Sequence, residues 1–257
     1  MSGSQFSITN AVRNAYIFVG RERAYLTRLA LLPTGVDALT KVMIFMNGKD
    51  MSIFESFSWS VPSAVLTGWF MFHLARLLMM GERANALPND TAYLATRQRG
   101  MNASILIWLL FSMSWVALQG FQSWVMNPEQ GVVNLGMATI SMLFFGAAFW
   151  CIRYGVAHIL AAVNYPISKY IRRVAGLSIS FRLTGMGLLG VLPVLSCFYF
   201  LTTLVMPTGV TDMYDPRLAP IVVLSAPVQM IITAIMTAAG AFALREIMER
   251  PSTDESA

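Results

Sequence analysis

Residues 183–206 read LTGMGLLGVLPVLSCFYFLTTLVM, a continuous apolar run without a single Asp, Glu, Lys, Arg or His. The hydrocarbon core of a bilayer is about 30 Å thick and a helix rises about 1.5 Å per residue, so about 20 apolar residues are needed to cross it. This run is long enough. Comparable apolar runs lie at 26–46, 60–80, 104–124, 132–152 and 218–244. The sequence therefore predicts six transmembrane helices.

The composition of the whole chain agrees with a membrane protein. Of its 257 residues, 56% are hydrophobic and 12% are charged, and the mean hydropathy is +0.60. Soluble domains carry roughly 25% charged residues. We therefore expect an all-α integral membrane bundle that forms one domain over residues 1–257, with a disordered tail at 248–257.

The basic residues lie almost entirely in alternate connections between the predicted spans. Because basic residues resist translocation, the side that carries them is predicted to be cytoplasmic, together with both termini. Residues 1–25 lack the apolar core of a signal peptide, so the first span is expected to remain in the mature protein. Fifteen of the eighteen Lys and Arg fall on this side: Arg13, Arg21, Arg23, Arg28, Arg76, Arg83, Arg97, Arg99, Arg153, Lys169, Arg172, Arg173, Arg182, Arg245 and Arg250.

Two of the basic stretches also have the apolar periodicity of amphipathic helices. Helices of this kind lie in the headgroup plane, so we expect two interfacial helices on the cytoplasmic side. One polar face, at Lys169, Arg172 and Arg173, is a candidate for binding an anionic lipid headgroup or a protein partner, and the alternative is a plain topological anchor. The two apolar stripes are Ile167, Tyr170, Ile171, Val174 and Leu177, and Ile8, Ala11, Val12, Ala15, Tyr16 and Val19.

Asp37 is the charged residue that the charge pattern does not explain. It lies about 11 residues, or roughly 16 Å, from the inner edge of the first span, where a charge costs about 2.5 to 3.5 kcal/mol on insertion scales. Lys41 follows one turn later, in the order that favours an ion pair. His73 on the second span would meet Asp37 if the first two spans form a hairpin. The sequence leaves two alternatives, a polar contact that fixes helix packing and a proton or solute site.

Motifs for catalysis or metal binding do not fit the predicted spans. Gly185, Gly187 and Gly190 have GxGxxG spacing, but they lie inside a span and not between a strand and a helix, which argues against nucleotide binding. The chain has no HExxH, CxxC or GxSxG motif, and its two histidines, His73 and His158, are too few ligands for zinc chemistry. We therefore expect no enzyme activity, no cofactor and no metal site.

Residues 153–193, RYGVAHILAAVNYPISKYIRRVAGLSISFRLTGMGLLGVLP, resemble YciC-like and glycerophosphodiesterase-membrane-domain-like bacterial proteins. In those families a span ends in Arg, an amphipathic cytoplasmic segment follows, and a basic residue leads into a Pro-containing span. Residues 23–33, RAYLTRLALLP, are similar to their entry into the first span. The resemblance implies a six-span protein of the bacterial inner membrane. The catalytic domain of the phosphodiesterase relatives is a separate soluble unit, for which this chain has no room.

These patterns predict a non-catalytic membrane protein that organises lipid or protein partners through a basic cytoplasmic face. Its expected partners are the bilayer, anionic lipid, and a second copy or another membrane protein. Nucleic acid is not expected, because the positive charge lies beside the apolar runs. The alternative is a small transporter or permease component with a polar site centred on Asp37.

Overall fold

The computed structural model describes residues 6–47, 52–84, 90–125, 139, 142–143, 146, 149, 152–173, 177–207, 209 and 214–249. Within these ranges the regular structure is helical, which confirms the all-α prediction at this level. Short 3-10 turns lie at Ile152–Tyr154 and Pro216–Leu218. The helices with defined bounds are α1 (Ile8–Arg21), α2 (Arg23–Asn47), α3 (Ile53–Met80), α4 (Thr91–Val125), α5 (Ala157–Ala162), α6 (Ile167–Arg173), α7 (Leu177–Val205) and α8 (Ala219–Glu249).

Four of the described helices, α2, α3, α7 and α8, are long and apolar enough to cross a membrane. They correspond to the first, second, fifth and sixth predicted spans. The third, 104–124, lies within helix α4. The fourth, 132–152, falls largely outside the described residues, so the count of six remains a prediction. Helix α8 continues to Glu249, two residues into the expected tail, and residues 250–257 lie outside the described residues.

Local signals set the ends of α3. Ser52 and Glu55 form a capping box in which each side chain bonds the other residue's backbone N–H, and this arrangement satisfies donors that have no partner within the helix. At the other end Gly81 has a φ of 71°, the left-handed conformation that glycine adopts without steric cost. The chain then turns directly into the connection that carries Glu82.

The ends of six helices meet at one end of the bundle, which we call the basic end. The backbone carbonyl of Phe6 accepts from Arg182 Nη1 at 2.5 Å, and Ser7 N donates to Glu246 Oε2 at 2.8 Å. Arg245 donates to the carbonyl of Leu78. These contacts, with those of Glu22 and Glu82, join the starts of α1, α2, α4 and α7 to the ends of α3 and α8. The tertiary structure therefore gathers the basic connections on one side.

Helix α8 lies at the centre of the fold and packs against α1, α2, α3 and α7. Small side chains make this close approach feasible. Thr233, Thr237 and Ala241 lie at intervals of four residues along α8 and are all buried. A Cβ atom added at Gly240 would lie 3.0 Å from Ile159 Cδ1, so α5 packs directly on this glycine.

Helix α1 is not placed as its apolar stripe suggests. Ala11, Val12 and Ala15 are buried, and the remaining stripe residues pack against the same core. Tyr16 donates a hydrogen bond to the carbonyl of Gly190 at 2.8 Å. The stripe therefore faces α7 and α8, so protein covers the apolar surface that was expected to face lipid. An amphipathic pattern requires only an apolar surface to cover it, and here protein supplies that surface.

The segment 152–165 enters the bundle beside α4. All six residues of α5 are buried, and the helix contacts α3, α4 and α8. Asn164, with a φ of 56°, ends the helix; its N–H donates to the carbonyl of Ala161 at 3.0 Å and that of Tyr165 to the carbonyl of Leu160 at 2.9 Å. This left-handed cap satisfies carbonyls that would otherwise be orphaned inside the fold.

Candidate functional site

Asp37 is buried at the contact between α2 and α3, with 8% of its surface exposed. Its Oδ2 lies 2.8 Å from Lys41 Nζ, and Ser63 on α3 donates to Oδ1 at 2.7 Å. The Lys41 side chain is 28% exposed, which fits a long stem that reaches toward the polar side. The predicted ion pair is present, and Ser63 is a further partner that sequence reasoning missed. Lys41 offsets the charge of the carboxylate, and Ser63 joins α2 to α3.

His73 does not join Asp37. It lies ten residues beyond Ser63 on α3, which places it about 15 Å further along the helix axis. Its Nδ1 is 3.2 Å from Arg97 Nη2, and its ring packs on Trp69 with centroids 4.6 Å apart. A guanidinium has only donors, so Nδ1 accepts and His73 is neutral in this arrangement. The structure brings Asp37 and Lys41 together and assigns His73 to another cluster.

That cluster, the Glu82 cluster, consists of Glu82, Arg76, Tyr93, Arg97 and His73. Arg76 donates to Glu82 Oε2 through Nε at 2.8 Å and through Nη2 at 2.5 Å. Arg97 Nε donates to Oε1 at 2.8 Å, and the Tyr93 hydroxyl also donates to Oε2. Both arginine side chains and the glutamate are at most 10% exposed. One carboxylate thus receives hydrogen bonds from α3 and α4.

The cluster also reaches the buried segment. Arg76 Nη1 donates to the carbonyl of Ala162 at 2.9 Å, at the end of α5. Arg76 and Arg97 both lie over the ring of Phe72, at 5.7 and 5.1 Å from its centroid. Such cation–π contacts add to the attraction in a desolvated setting. The Glu82 cluster therefore locks three helices together at the basic end.

The charge state of Glu82 follows from its surroundings. Burial by itself raises the pKa of a carboxyl group, but hydrogen bonds from Arg76, Tyr93 and Arg97 and the positive charge of Arg76 lower the pKa of Glu82 to about 2. The group is thus ionised at neutral pH and holds two arginines. This arrangement makes the carboxylate a structural clasp between α3 and α4.

The charge pattern counts Arg76 only as a basic residue at the cytoplasmic side, whereas the structure gives it a buried contact. Arg76 is 2% exposed and points into the protein. The sequence did contain one indication of this contact. Glu82 is an acidic residue in a connection that is otherwise rich in arginine. Its three partners could not be identified, because charge counting treats each basic residue as a marker of topology and not as a contact.

The second candidate face, at Lys169, Arg172 and Arg173, is seen only in part. Lys169 is exposed, whereas the side chains of Arg172 and Arg173 lie outside what the structure describes. On the opposite side of α6, Tyr170 is 1% exposed and donates to the carbonyl of Arg153 at 2.8 Å. Helix α6 therefore packs against the rest of the protein through Tyr170, while Lys169 is exposed.

Basic residues of other helices at the basic end are also exposed. Arg13 on α1, Arg23 and Arg28 on α2, and Arg99 on α4 are exposed. Arg83 is half exposed and pairs with Glu22 at 3.1 Å. The basic end therefore has two layers, a buried one in which charges are paired and an outer one in which arginines face the surroundings.

No group of three or more His, Cys, Asp or Glu side chains that could hold a metal ion occurs among the described residues. Comparison of the chain with protein-family models, with curated proteins and with solved structures finds no match.

Proposed function

We propose that this chain is a non-catalytic integral membrane protein that organises lipid or protein partners through its basic end. The observation that carries the proposal is the division of charge at that end. The buried arginines Arg76 and Arg97 are held by Glu82, whereas Arg13, Arg23 and Arg28 are exposed. Anionic lipid headgroups bind exposed arginines that lie beside apolar spans.

The proposal includes an orientation and a location. The basic end would face the cytoplasm with both termini, because basic residues resist translocation. The membrane would be the bacterial inner membrane, in line with the resemblance of residues 153–193. The surface potential of an anionic leaflet would then act on the outer arginines over a Debye length of about 8 Å.

We expect the double variant Arg23→Gln, Arg28→Gln to bind anionic lipid more weakly than the unaltered protein. At about 1 kcal/mol per basic residue near an anionic surface, two residues correspond to a loss of roughly thirty-fold in affinity. Native mass spectrometry of the protein released from nanodiscs, with phosphatidylglycerol titrated against phosphatidylcholine, measures this change. Both residues are exposed, so the fold should not change.

Arg217→Gln is the matched control for the lipid measurement. Arg217 is also an exposed arginine beside a candidate span, but it lies in the connection before α8 and pairs with Asp215 at 2.7 Å. This connection is at the other end of the bundle, where the rings of Phe45 and Tyr214 meet. Equal retention of phosphatidylglycerol by the double variant, the control and the unaltered protein would contradict the proposal.

The alternative function, transport through a site at Asp37, rests on the burial of this carboxylate between two candidate spans. Its partners Lys41 and Ser63 favour a packing role. We expect Asp37→Asn to lower stability by about 1.5 to 3 kcal/mol, because Lys41 loses its counter-charge and the hydrogen bond from Ser63 is no longer charge-assisted. We expect proton flux into dye-loaded vesicles to stay unchanged. If Asp37→Asn abolishes a proton flux that the unaltered protein has, at normal abundance and oligomeric state, transport replaces the organisation of partners as the proposed function.

A further inference from the structure

The contact between α4 and α5 contains three buried polar atoms for which the described part of the chain supplies no hydrogen-bond partner. They are Ser104 Oγ, Trp108 Nε1 and His158 Nε2. Buried polar groups in folded proteins are nearly always satisfied by protein or by a bound molecule. Three such groups at one helix contact make this contact a candidate binding site.

The register of the two helices brings these residues together. Gly100 on α4 lies against Ala161 on α5, because an added Cβ would be 3.0 Å from the Ala161 carbonyl oxygen. Further along, the rings of Trp108 and His158 have centroids 6.2 Å apart. Ser104 is one turn from each of these contact points on α4 and on the same face. It therefore lies between the two contact points.

The hydrogen-bonding roles of the three atoms are complementary. His158 Nδ1 is 2.8 Å from the carbonyl oxygen of Gly155, which can only accept, so Nδ1 carries the proton. Burial lowers the pKa of His158 to about 4, against a smaller opposing effect of that carbonyl, so the ring is neutral at pH 7. Nε2 is then an acceptor. Trp108 Nε1 is a donor, and the Ser104 hydroxyl can act as either.

Ser104 differs from Thr96, another hydroxyl residue of α4. Thr96 donates to the carbonyl of Ala92, one turn earlier in the helix, at 3.0 Å. Ser104 has no such bond and is fully buried. Its hydroxyl is therefore available to a partner in the contact between α4 and α5.

We propose that α4 and α5 enclose a binding site for a small uncharged molecule with a hydroxyl group, which accepts a hydrogen bond from Trp108 and donates one to His158. Ser104 provides the third contact. Three polar partners are what a buried water molecule usually has, so water is one source of this hydroxyl and a small hydroxylated compound is the other. The site does not depend on the proposed function of the basic end.

The test uses the full chain in liposomes, labelled with ¹⁵N-histidine, and solid-state NMR. The sequence contains only two histidines, and a His73→Gln variant assigns the remaining signals to His158. We expect a neutral ring with the proton on Nδ1 and a hydrogen-bonded Nε2. Magnetisation transfer from water to Nε2 would identify water as the ligand. A bonded Nε2 without that transfer, accompanied by a hydroxylated compound in the mass spectrum of the extracted protein, would identify the second source.

Two variants and one control distinguish a bound ligand from a direct hydrogen bond between Ser104 and His158. Ser104→Ala should weaken the hydrogen bond at Nε2 and keep it detectable, because Trp108 still holds the ligand. Trp108→Phe should also weaken the hydrogen bond at Nε2, and it tests whether the indole N–H of Trp108 donates to the ligand. Trp69→Phe, which alters the corresponding contact at His73, should leave the His158 signals unchanged.

Two results would overturn the site. An unbonded Nε2 in the unaltered protein would show a dry contact. A bonded Nε2 that Ser104→Ala abolishes, with neither water transfer nor an extracted compound, would show a direct bond between Ser104 and His158.

Discussion

Glu82→Gln is expected to lower the free energy of unfolding by about 3 to 5 kcal/mol, because removal of one member of a buried ion pair leaves its partners charged and unpaired. Two arginines would lose their counter-charge at once, since Arg76 and Arg97 both bond the same carboxylate. Unfolding in mixed detergent and SDS micelles, followed by tryptophan fluorescence, measures the change.

Glu22→Gln is the control for this prediction. Glu22 also pairs with an arginine, Arg83, but that arginine side chain is 51% exposed, and exposed pairs contribute only about 0 to 1 kcal/mol. If the two variants lose equal stability, the Glu82 cluster is not a buried clasp.

The pH dependence of stability provides a second readout of the same cluster. The pKa of Glu82 is lowered to about 2 in the folded protein, while the ordinary value is near 4.3. An acid with a depressed pKa contributes stability above its unfolded value and loses that contribution as pH falls through its folded value. The unaltered protein should therefore lose stability from about pH 4 toward pH 2, and Glu82→Gln should show a flatter profile over this range.

Gly100→Leu is expected to destabilise the protein by about 1 to 3 kcal/mol, because an overpacked contact forces side chains and backbone apart. An added Cβ would lie 3.0 Å from the Ala161 carbonyl oxygen and 3.0 Å from Asn164 Oδ1. The Ala161 carbonyl belongs to the backbone of α5 and cannot move freely, whereas the Asn164 amide is the end of a side chain.

Gly35→Leu is the matched control for Gly100→Leu. Gly35 also lies within a helix, α2, and an added Cβ there has no atom within 4 Å. Replacing a helical glycine in open space should raise stability by about 0.5 to 1 kcal/mol. Equal effects of the two variants in thermal unfolding followed by circular dichroism would show that α4 and α5 do not pack closely at this point.

The candidate spans were predictable because hydropathy and length are local properties. Each of α2, α3, α7 and α8 overlaps the apolar run that the sequence marks, with ends that differ by up to seven residues. The ion pair of Asp37 with Lys41 was predictable for the same reason, since residues one turn apart on a helix face each other.

The partners of the polar residues were less predictable. Whether His73 meets Asp37 depends on the register of α3 against α2 and α4. The hydropathy of the sequence does not reveal this register. Ser63 occupies the position beside Asp37, and Arg97 occupies the position beside His73. Both are contacts between different helices.

The sequence by itself determined the helical class, the four helices that are long and apolar enough to cross a membrane, and the segregation of basic residues, because the cost of placing a polar group in hydrocarbon arises residue by residue. Only the tertiary structure decided which apolar stripe faces protein and which charge is buried. Arg76 meets Ala162, 86 residues away, and Ser7 meets Glu246, 239 residues away. Such contacts depend on how whole helices pack, and a buried arginine becomes stable only where Glu82 and a carbonyl converge on it.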